Sequence, residues 1–207
     1  SESVLHAETV HKERLRVQKL QQEMLLLNEQ LMVQSQHDAL TGLPNRAYLN
    51  NYAEETLSKA LKNQVNFGIE ILDIDFFKSV NDTYGHMEGD HYLTAVADLL
   101  SRITEEYSNV FAARYGGDEF VLVYYDKSVD EIKEIMNQLK LSTVSVKLPA
   151  ISQLGEDHVT LSQGCCNRIP EPLNRLWDYL ARADTVLYDV KKKGKNNYKV
   201  SERFKKA

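Results

Sequence analysis

Two glycines followed by two acids, Gly116-Gly117-Asp118-Glu119, stand between two apolar, β-branched and aromatic runs, and this arrangement restricts the fold more than any other stretch of the chain. Val110 to Ala113 and Phe120 to Tyr125 read as strands, so the glycine pair reads as the tight turn of a β-hairpin. Arg114 and Tyr115 lead into that turn. The turn presents the carboxylates of Asp118 and Glu119 outward, where they either hold a metal and a phosphate or solubilise an ordinary hairpin tip.

A second acidic motif follows the apolar segment from Val65 to Leu72, which reads as a buried strand. Asp73 and Asp75 are two residues apart, and on an extended strand they point to one face. Two like charges side by side are costly unless a cation sits near them. Oxygen donors, with no histidine or cysteine at ligand spacing, favour Mg²⁺ or Mn²⁺ over zinc. After Asp75 the chain turns into Phe76-Phe77-Lys78, where backbone N–H groups are placed to receive phosphate oxygens and Lys78 to supply positive charge.

The first 36 residues differ in kind: they hold neither glycine nor proline, and Val10, Val17, Leu20, Met24, Leu27 and Leu31 recur at heptad a and d spacing. Valine at two a positions favours a two-stranded parallel coiled coil. Polar Glu13 and Gln34 at d positions, with charged flanks, argue for a dimer stalk over one amphipathic helix packed on its own domain. Residues 1–36 are therefore read as a dimerisation and signalling helix, and 37–207 as one globular domain. No run approaches the roughly 18 apolar residues of a membrane span, so no membrane contact is expected from this chain. A net charge of −5 argues against a nucleic-acid partner. The two cysteines, Cys165 and Cys166, are adjacent, which is poor disulfide geometry; they read as packing residues in a reducing, cytoplasmic setting.

Further along the chain, helices are expected from about Arg46 to Lys62, Gly89 to Glu106, Asp130 to Leu139 and Leu173 to Lys193. Strands are expected from about Val65 to Asp73 and His158 to Cys166, with a variable loop over 144–157. The pattern indicates an α/β fold whose mainly antiparallel central sheet is flanked by helices.

Five motifs in order make the chain resemble a GGDEF domain, the diguanylate cyclase family that makes cyclic di-GMP from GTP. They are Asp38-Ala39-Leu40-Thr41-Gly42-Leu43-Pro44-Asn45-Arg46, the segment Asp73 to Lys78, Asn81-Asp82-Thr83-Tyr84-Gly85-His86 with Gly89-Asp90, the segment Arg114 to Phe120, and Ala183-Asp184 with Leu187-Tyr188 ahead of Lys191 to Asn196. The resemblance implies a palm-like nucleotidyl-cyclase fold and a nucleotidyl transfer that joins two GTP molecules and releases two pyrophosphates. It implies Asp73, Asp118 and the carbonyl of Ile74 as metal ligands, Mg²⁺ first and Mn²⁺ as the substitute. Asp118 or Glu119 would take the proton of the 3′-hydroxyl, Lys78 would offset phosphoryl charge, and Lys191 and Lys195 would meet the outer phosphates. Phe76 and Phe77 would border the phosphates through their backbone. Asn81 and Asp90 would read the guanine edge; mixed GMP-AMP synthesis in this family typically goes with serine at the Asp90 position, so Asp90 favours GTP over ATP. His86 either borders that site or serves packing and hydrogen bonding.

Three departures from the family pattern stand out. Tyr107-Ser108-Asn109-Val110 replaces the R-x-x-D product-inhibition motif, so feedback through that site is expected to be absent. Ser162-Gln163-Gly164 puts a polar residue where an apolar one is usual, which bears on packing rather than catalysis. Asp118 is one methylene shorter than the glutamate of some members. A homodimer paired through the coiled coil and switched by its rearrangement is expected, and the start inside a helix without Met suggests a sensor domain upstream that would decide any membrane anchoring. The alternative is a catalytically silent GTP-binding signalling module; such members usually lose a signature acid, and this chain keeps Asp73, Asp118 and Glu119.

Overall fold

The structure is a computed structural model and describes residues 2–146, 148 and 158–204. The chain divides into two units, one ending at His37 and the other beginning at Asp38. The first is a single helix, α1 (Glu2–Gln36). Its described seam residues are all exposed by more than half: Val17 53%, Leu20 55%, Met24 60%, Leu27 55% and Leu31 53%. Leu15, Leu25 and Leu26 lie off that seam and are as exposed.

The second unit is a five-stranded sheet with helices on both faces. Its strands are β1 (Phe67–Ile74), β2 (Val110–Gly116), β3 (Glu119–Tyr125), β4 (Leu161–Arg168) and β5 (Tyr198–Ser201). Their spatial order is β2-β3-β1-β4-β5. All neighbours are antiparallel except β4 and β5, which run parallel. The helices are α2 (Arg46–Asn63), α3 (Phe77–Tyr84), α4 (His86–Glu106), α5 (Val129–Ser142) and α6 (Leu176–Lys192).

Local chemistry starts and stops these elements. Asn45 caps α2 by accepting from the N–H of Tyr48, and Ser128 and Glu131 form a reciprocal capping box on α5. Gly85, at φ 87°, breaks what would otherwise be one helix into α3 and α4. The sequence expectation began this helix at Gly89; it begins at His86, and α3 precedes it. β5 was also unanticipated, because four residues, of which Lys199 is exposed and Ser201 polar, carry little hydrophobic signal. A short 3₁₀ turn occupies Thr143–Ser145, where a loop was expected to begin, and most of that expected loop lies outside the described residues.

Strand alternation divides the core into two layers. Phe67, Ile69 and Ile71 of β1 meet α2 and α6, whereas Leu72 and Ile74 meet α3, α4 and α5. Cys165 and Cys166 are both buried and unbridged, and they fall into different layers because they are consecutive on a strand. Burial pushes both thiols up, Cys166 to about 12. Both therefore serve as inert packing groups. Gln163 is accommodated by donating its side-chain N–H to the Met136 carbonyl at 2.9 Å, which explains how a polar residue sits in this strand. Gly164 has a different reason: a Cβ there would lie 2.3 Å from the Leu187 nitrogen and 2.6 Å from the Ala183 oxygen. The close seating of α6 on β4 requires glycine at this position.

One buried acid lies outside the candidate site. Glu70 is fully buried, accepts a hydrogen bond from the Tyr124 hydroxyl, and leaves Oε1 with no partner. Burial raises its pKa from 4.5 to about 7, with the Tyr124 bond opposing. Below that value the core holds a neutral acid. As pH rises from about 4.5 to 7, the unfolded chain releases a proton that the folded chain keeps. Stability from this group therefore falls with rising pH, by about 3 kcal/mol across the window. Glu70→Gln is expected to lessen the fall in stability between pH 5 and pH 7.5 by about 3 kcal/mol relative to the parent, leaving the share of the other raised carboxyls, measured by urea unfolding at the two pH values; a fall as steep as the parent's would refute the assignment to Glu70.

Candidate active site

The ends of β1 and the β2–β3 hairpin create the site. Asp73 is paired across the ladder with Glu119, and the N–H of Ile74 donates to the Asp118 carbonyl at 3.4 Å. Asp73 and Glu119 thus lie on the sheet face that α6 covers. From the end of α6, the Lys191 ammonium reaches the Asp73 carboxylate at 2.7 Å. Asp73 is only 7% exposed. Burial raises its pKa to about 6, with Lys191 opposing and the negative charges of Asp118 and Asp75 adding to the rise. Burial likewise raises Glu119, followed by Asp118 and Asp184, with Lys191 and Arg46 opposing.

The hairpin tip is braced from behind. Gly116 and Gly117 take φ of 155° and 56°, and the strand register shifts between Arg114 and Gly116. The Arg114 guanidinium donates to the Gly117 carbonyl at 2.8 and 3.2 Å and to the Asp38 carboxylate at 3.0 Å. Asp38 also accepts from the Thr41 N–H and hydroxyl at 2.9 and 2.8 Å. Burial acts to raise Asp38, but the Thr41 and Arg114 bonds outweigh it and hold the carboxyl below its usual value. The Arg114 N–H donates to the Pro44 carbonyl at 2.9 Å. The Asp38 to Arg46 motif is therefore a bracket for the signature turn, a role that sequence spacing did not reveal.

Asp75 departs from the sequence expectation. It does not share a cation-facing side with Asp73, because β1 ends at Ile74 and the alternation ends with it. Its carboxylate instead accepts from Thr160, Ser162 and the N–H of Asn196. Phe76, at φ 61°, turns the chain into α3, and Phe76 and Phe77 are partly buried against the core. Lys78 is exposed on the first turn of α3. The Lys195 ammonium lies 5.0 Å from the centre of the Phe76 ring.

Asn81, on α3, packs over Gly89, where a Cβ would sit 2.0 Å from its Oδ1. His86 is exposed at the start of α4 and Asp90 is exposed on its second turn. The structure therefore brings Asp73, Asp118, Glu119 and Lys191 together, with Lys195 over Phe76. Asn81, His86 and Asp90 occupy the separate α3–α4 corner. A cleft of about 400 Å³ also opens beside Glu119, between Tyr115 and the α6 residues Trp177, Leu180 and Asp184. Asp184, which faces Glu119 there, was not singled out by sequence reasoning as a site residue.

Among the described residues, no three side chains of histidine, cysteine or acid converge as a complete metal cage. The donors present are the Asp73 and Asp118 carboxylates and the Ile74 carbonyl, all oxygen. That set fits a hard divalent ion that takes its remaining ligands from phosphate and water. Among these donors, Asp73 is paired with the Lys191 ammonium at 2.7 Å.

A protein-family model described as "Diguanylate cyclase, GGDEF domain" matches residues 35–197. Diguanylate cyclase DgcZ of Escherichia coli strain K12 is 33% identical over 167 residues, covering 80% of this chain and 53% of that protein. Diguanylate cyclase DgcP of Pseudomonas aeruginosa is 29% identical over 193 residues, covering 90% of this chain and 27% of that protein. The chain thus spans about half or less of the length of these relatives. Among solved structures, the coiled coil and GGDEF domain of DgcB from Caulobacter crescentus, in complex with c-di-GMP, superposes with a TM-score of 0.80 at 28% identity, covering 92% of this chain and 98% of that one. Diguanylate cyclase SiaD from Pseudomonas aeruginosa, in complex with its activator SiaC, gives 0.74 at 27% identity, covering 97% and 77%.

Removing the hairpin brace tests its weight. Arg114→Met leaves the partly buried Asp38 carboxylate without its cation and is expected to cost about 2 kcal/mol in urea unfolding. Adding Asp38→Asn to it should cost less than the two single losses summed. Additive losses would show that the two residues do not act as one brace.

Proposed function

The chain belongs to the GGDEF family of diguanylate cyclases, and we propose that it joins two GTP molecules into cyclic di-GMP, working as a homodimer paired through α1. The observation that carries this reading is the Asp73 carboxylate, buried at the end of the central strand, paired with Lys191 and set beside the two acids of the hairpin.

Asp73, Asp118 and the Ile74 carbonyl would hold the divalent ion, Mg²⁺ or Mn²⁺. When bound, it supplies positive charge to the triphosphate and to the departing pyrophosphate. Lys191 and Lys195 bind the outer phosphates as point charges. Lys78 and the N–H groups at the start of α3 offset charge on the phosphoryl oxygens. The 3′-oxygen of one nucleotide forms a bond to the α-phosphorus of the other, and the bond from that phosphorus to pyrophosphate breaks. The hydroxyl proton passes to Glu119 or Asp118. The raised pKa of Glu119 suits it to that transfer. A second, reciprocal step closes the ring and releases the second pyrophosphate.

Asn81 and Asp90 select guanine, since a carboxylate accepts from its N1–H and exocyclic amine and adenine offers no such donor pair. Tyr107 donates its hydroxyl to Gln138, and Val110 is buried at the start of β2. Neither supplies the charge that a feedback site of the R-x-x-D kind needs, so synthesis proceeds without inhibition there.

One domain holds half of the reactants, and the exposed α1 seam supports pairing that raises the local concentration of the other half. The reading is tested by incubating the chain with GTP and Mg²⁺ and quantifying cyclic di-GMP and pyrophosphate. Product is expected from GTP and not from ATP, and Glu119→Ala should abolish it while leaving the unfolding curve unchanged. GTP binding without product would support a silent nucleotide-binding module. The dimer has its own test: Leu20→Lys with Leu27→Lys should convert the sedimenting species to monomer and lower turnover at least about ten-fold at micromolar protein. Full activity in a monomeric variant would exclude the stalk as the pairing device.

A further inference from the structure

Asp75 takes no part in the chemistry above, yet it is only 5% exposed and both of its carboxylate oxygens are engaged inside the protein. Oδ1 accepts from the Ser162 hydroxyl at 2.7 Å. Oδ2 accepts from the Thr160 hydroxyl at 3.0 Å and from the backbone N–H of Asn196 at 2.9 Å. The N–H of Asp75 itself donates to the Thr160 carbonyl at 2.9 Å. A carboxylate with all of these partners is satisfied without a cation.

The bond to Asn196 carries the consequence. Asn196 belongs to the turn that follows α6, where Gly194, Lys195 and Asn196 take φ of 114°, 63° and 43°. Two successive non-glycine residues in the left-handed region are disfavoured, so the turn persists only where its surroundings hold it. The bonds that hold it are the Gly194 N–H to the Lys191 carbonyl at 3.5 Å, the Lys195 N–H to the Val190 carbonyl at 3.3 Å, the Gln163 N–H to the Asn197 carbonyl at 3.0 Å, and the charge-assisted bond from the Asn196 N–H to Asp75. Of these, only the last ties the turn to the end of β1. It joins the backbone beside Lys195 to the strand that carries Asp73, and Lys195 then lies over Phe76, the next residue after Asp75.

We propose that Asp75 is a positioning residue: its carboxylate anchors the turn at residues 194–197 to the end of β1 and so fixes where Lys195 meets the outer phosphates of the nucleotide. The phosphate role of Lys195 rests on the function proposed above; the anchoring itself does not. Asp75 acts on substrate through Lys195 and holds no metal.

Two substitutions separate anchoring from charge. Asp75→Asn keeps the shape: its carbonyl oxygen accepts from Thr160 and Asn196, and its amide donates to the Ser162 oxygen. Asp75→Ala removes the anchor, and Asp75→Ser replaces it if the alanine variant does not fold. Amide hydrogen exchange at Asn196, on the full chain without nucleotide, reads the anchor alone. It should speed up at least about ten-fold in Asp75→Ala and stay within about three-fold in Asp75→Asn.

Equilibrium binding then reads the consequence. Asp75→Ala should weaken GTP about ten-fold while GMP, which lacks the outer phosphates, changes less than about two-fold. In a Lys195→Ala background the same change should add less than about two-fold to the loss of GTP. Unchanged exchange at Asn196 in Asp75→Ala would overturn the anchor. Equal losses for GTP and GMP, or Asp75→Asn as damaging as Asp75→Ala, would overturn the positioning role. If the parent chain binds no GTP, the proposed function fails, and the exchange measurement still decides the anchor.

Discussion

A carboxylate buried at the end of the central strand is the constraint around which the rest of the domain is arranged. Asp73 without a cation nearby would cost several kcal/mol or be held neutral. Lys191 answers that need, and it reaches Asp73 because α6 lies close on β4. The closeness rests on Gly164, since any side chain there would collide with the α6 backbone. One missing Cβ in the middle of the sheet thus determines whether a lysine one helical turn beyond Leu187 meets its acid.

Two hydrogen-bonded acids brace the site from opposite sides. Asp38 holds Arg114, and through it the carbonyl at the hairpin tip. Asp75 holds the turn after α6. Both acids have their charge spent inside the protein, and Asp73 has its own paired with Lys191, so the carboxylates left to face outward are the partly exposed Asp118 and Glu119. The result is an open edge, with two partly exposed acids between two braces. An open edge suits a reaction whose second reactant arrives on another molecule.

Much of this was legible in the sequence. The Gly-Gly turn between two apolar runs specified the hairpin, because few other conformations accept glycine pairs flanked by strand formers. The apolar run before Asp73 specified the central strand, and helical spacing found α2, α4, α5 and α6 to within a few residues. Asp75 was misplaced for a physical reason: period-two reasoning holds only while the strand continues, and this strand stops at Ile74. β5 escaped because a short edge strand has one face partly in water. α3 escaped because eight residues with a single fully buried side chain give little periodicity. Arg114 and Asp38 were visible as motif members, but a contact across 76 positions of chain leaves no local pattern.

The two central strands have no face in solvent: every residue of β1 and all but the last of β4 are buried. Each side chain along them belongs to one core layer, and its neighbour belongs to the other. A substitution on β1, or on β4 before its last residue Arg168, is therefore felt by packed side chains, with no outward position to absorb it. Sequence drift in this protein should run around these strands rather than through them, along β5, the exposed faces of the helices and the loops. Related chains would then differ most where they touch their surroundings and least along two strands packed on both faces.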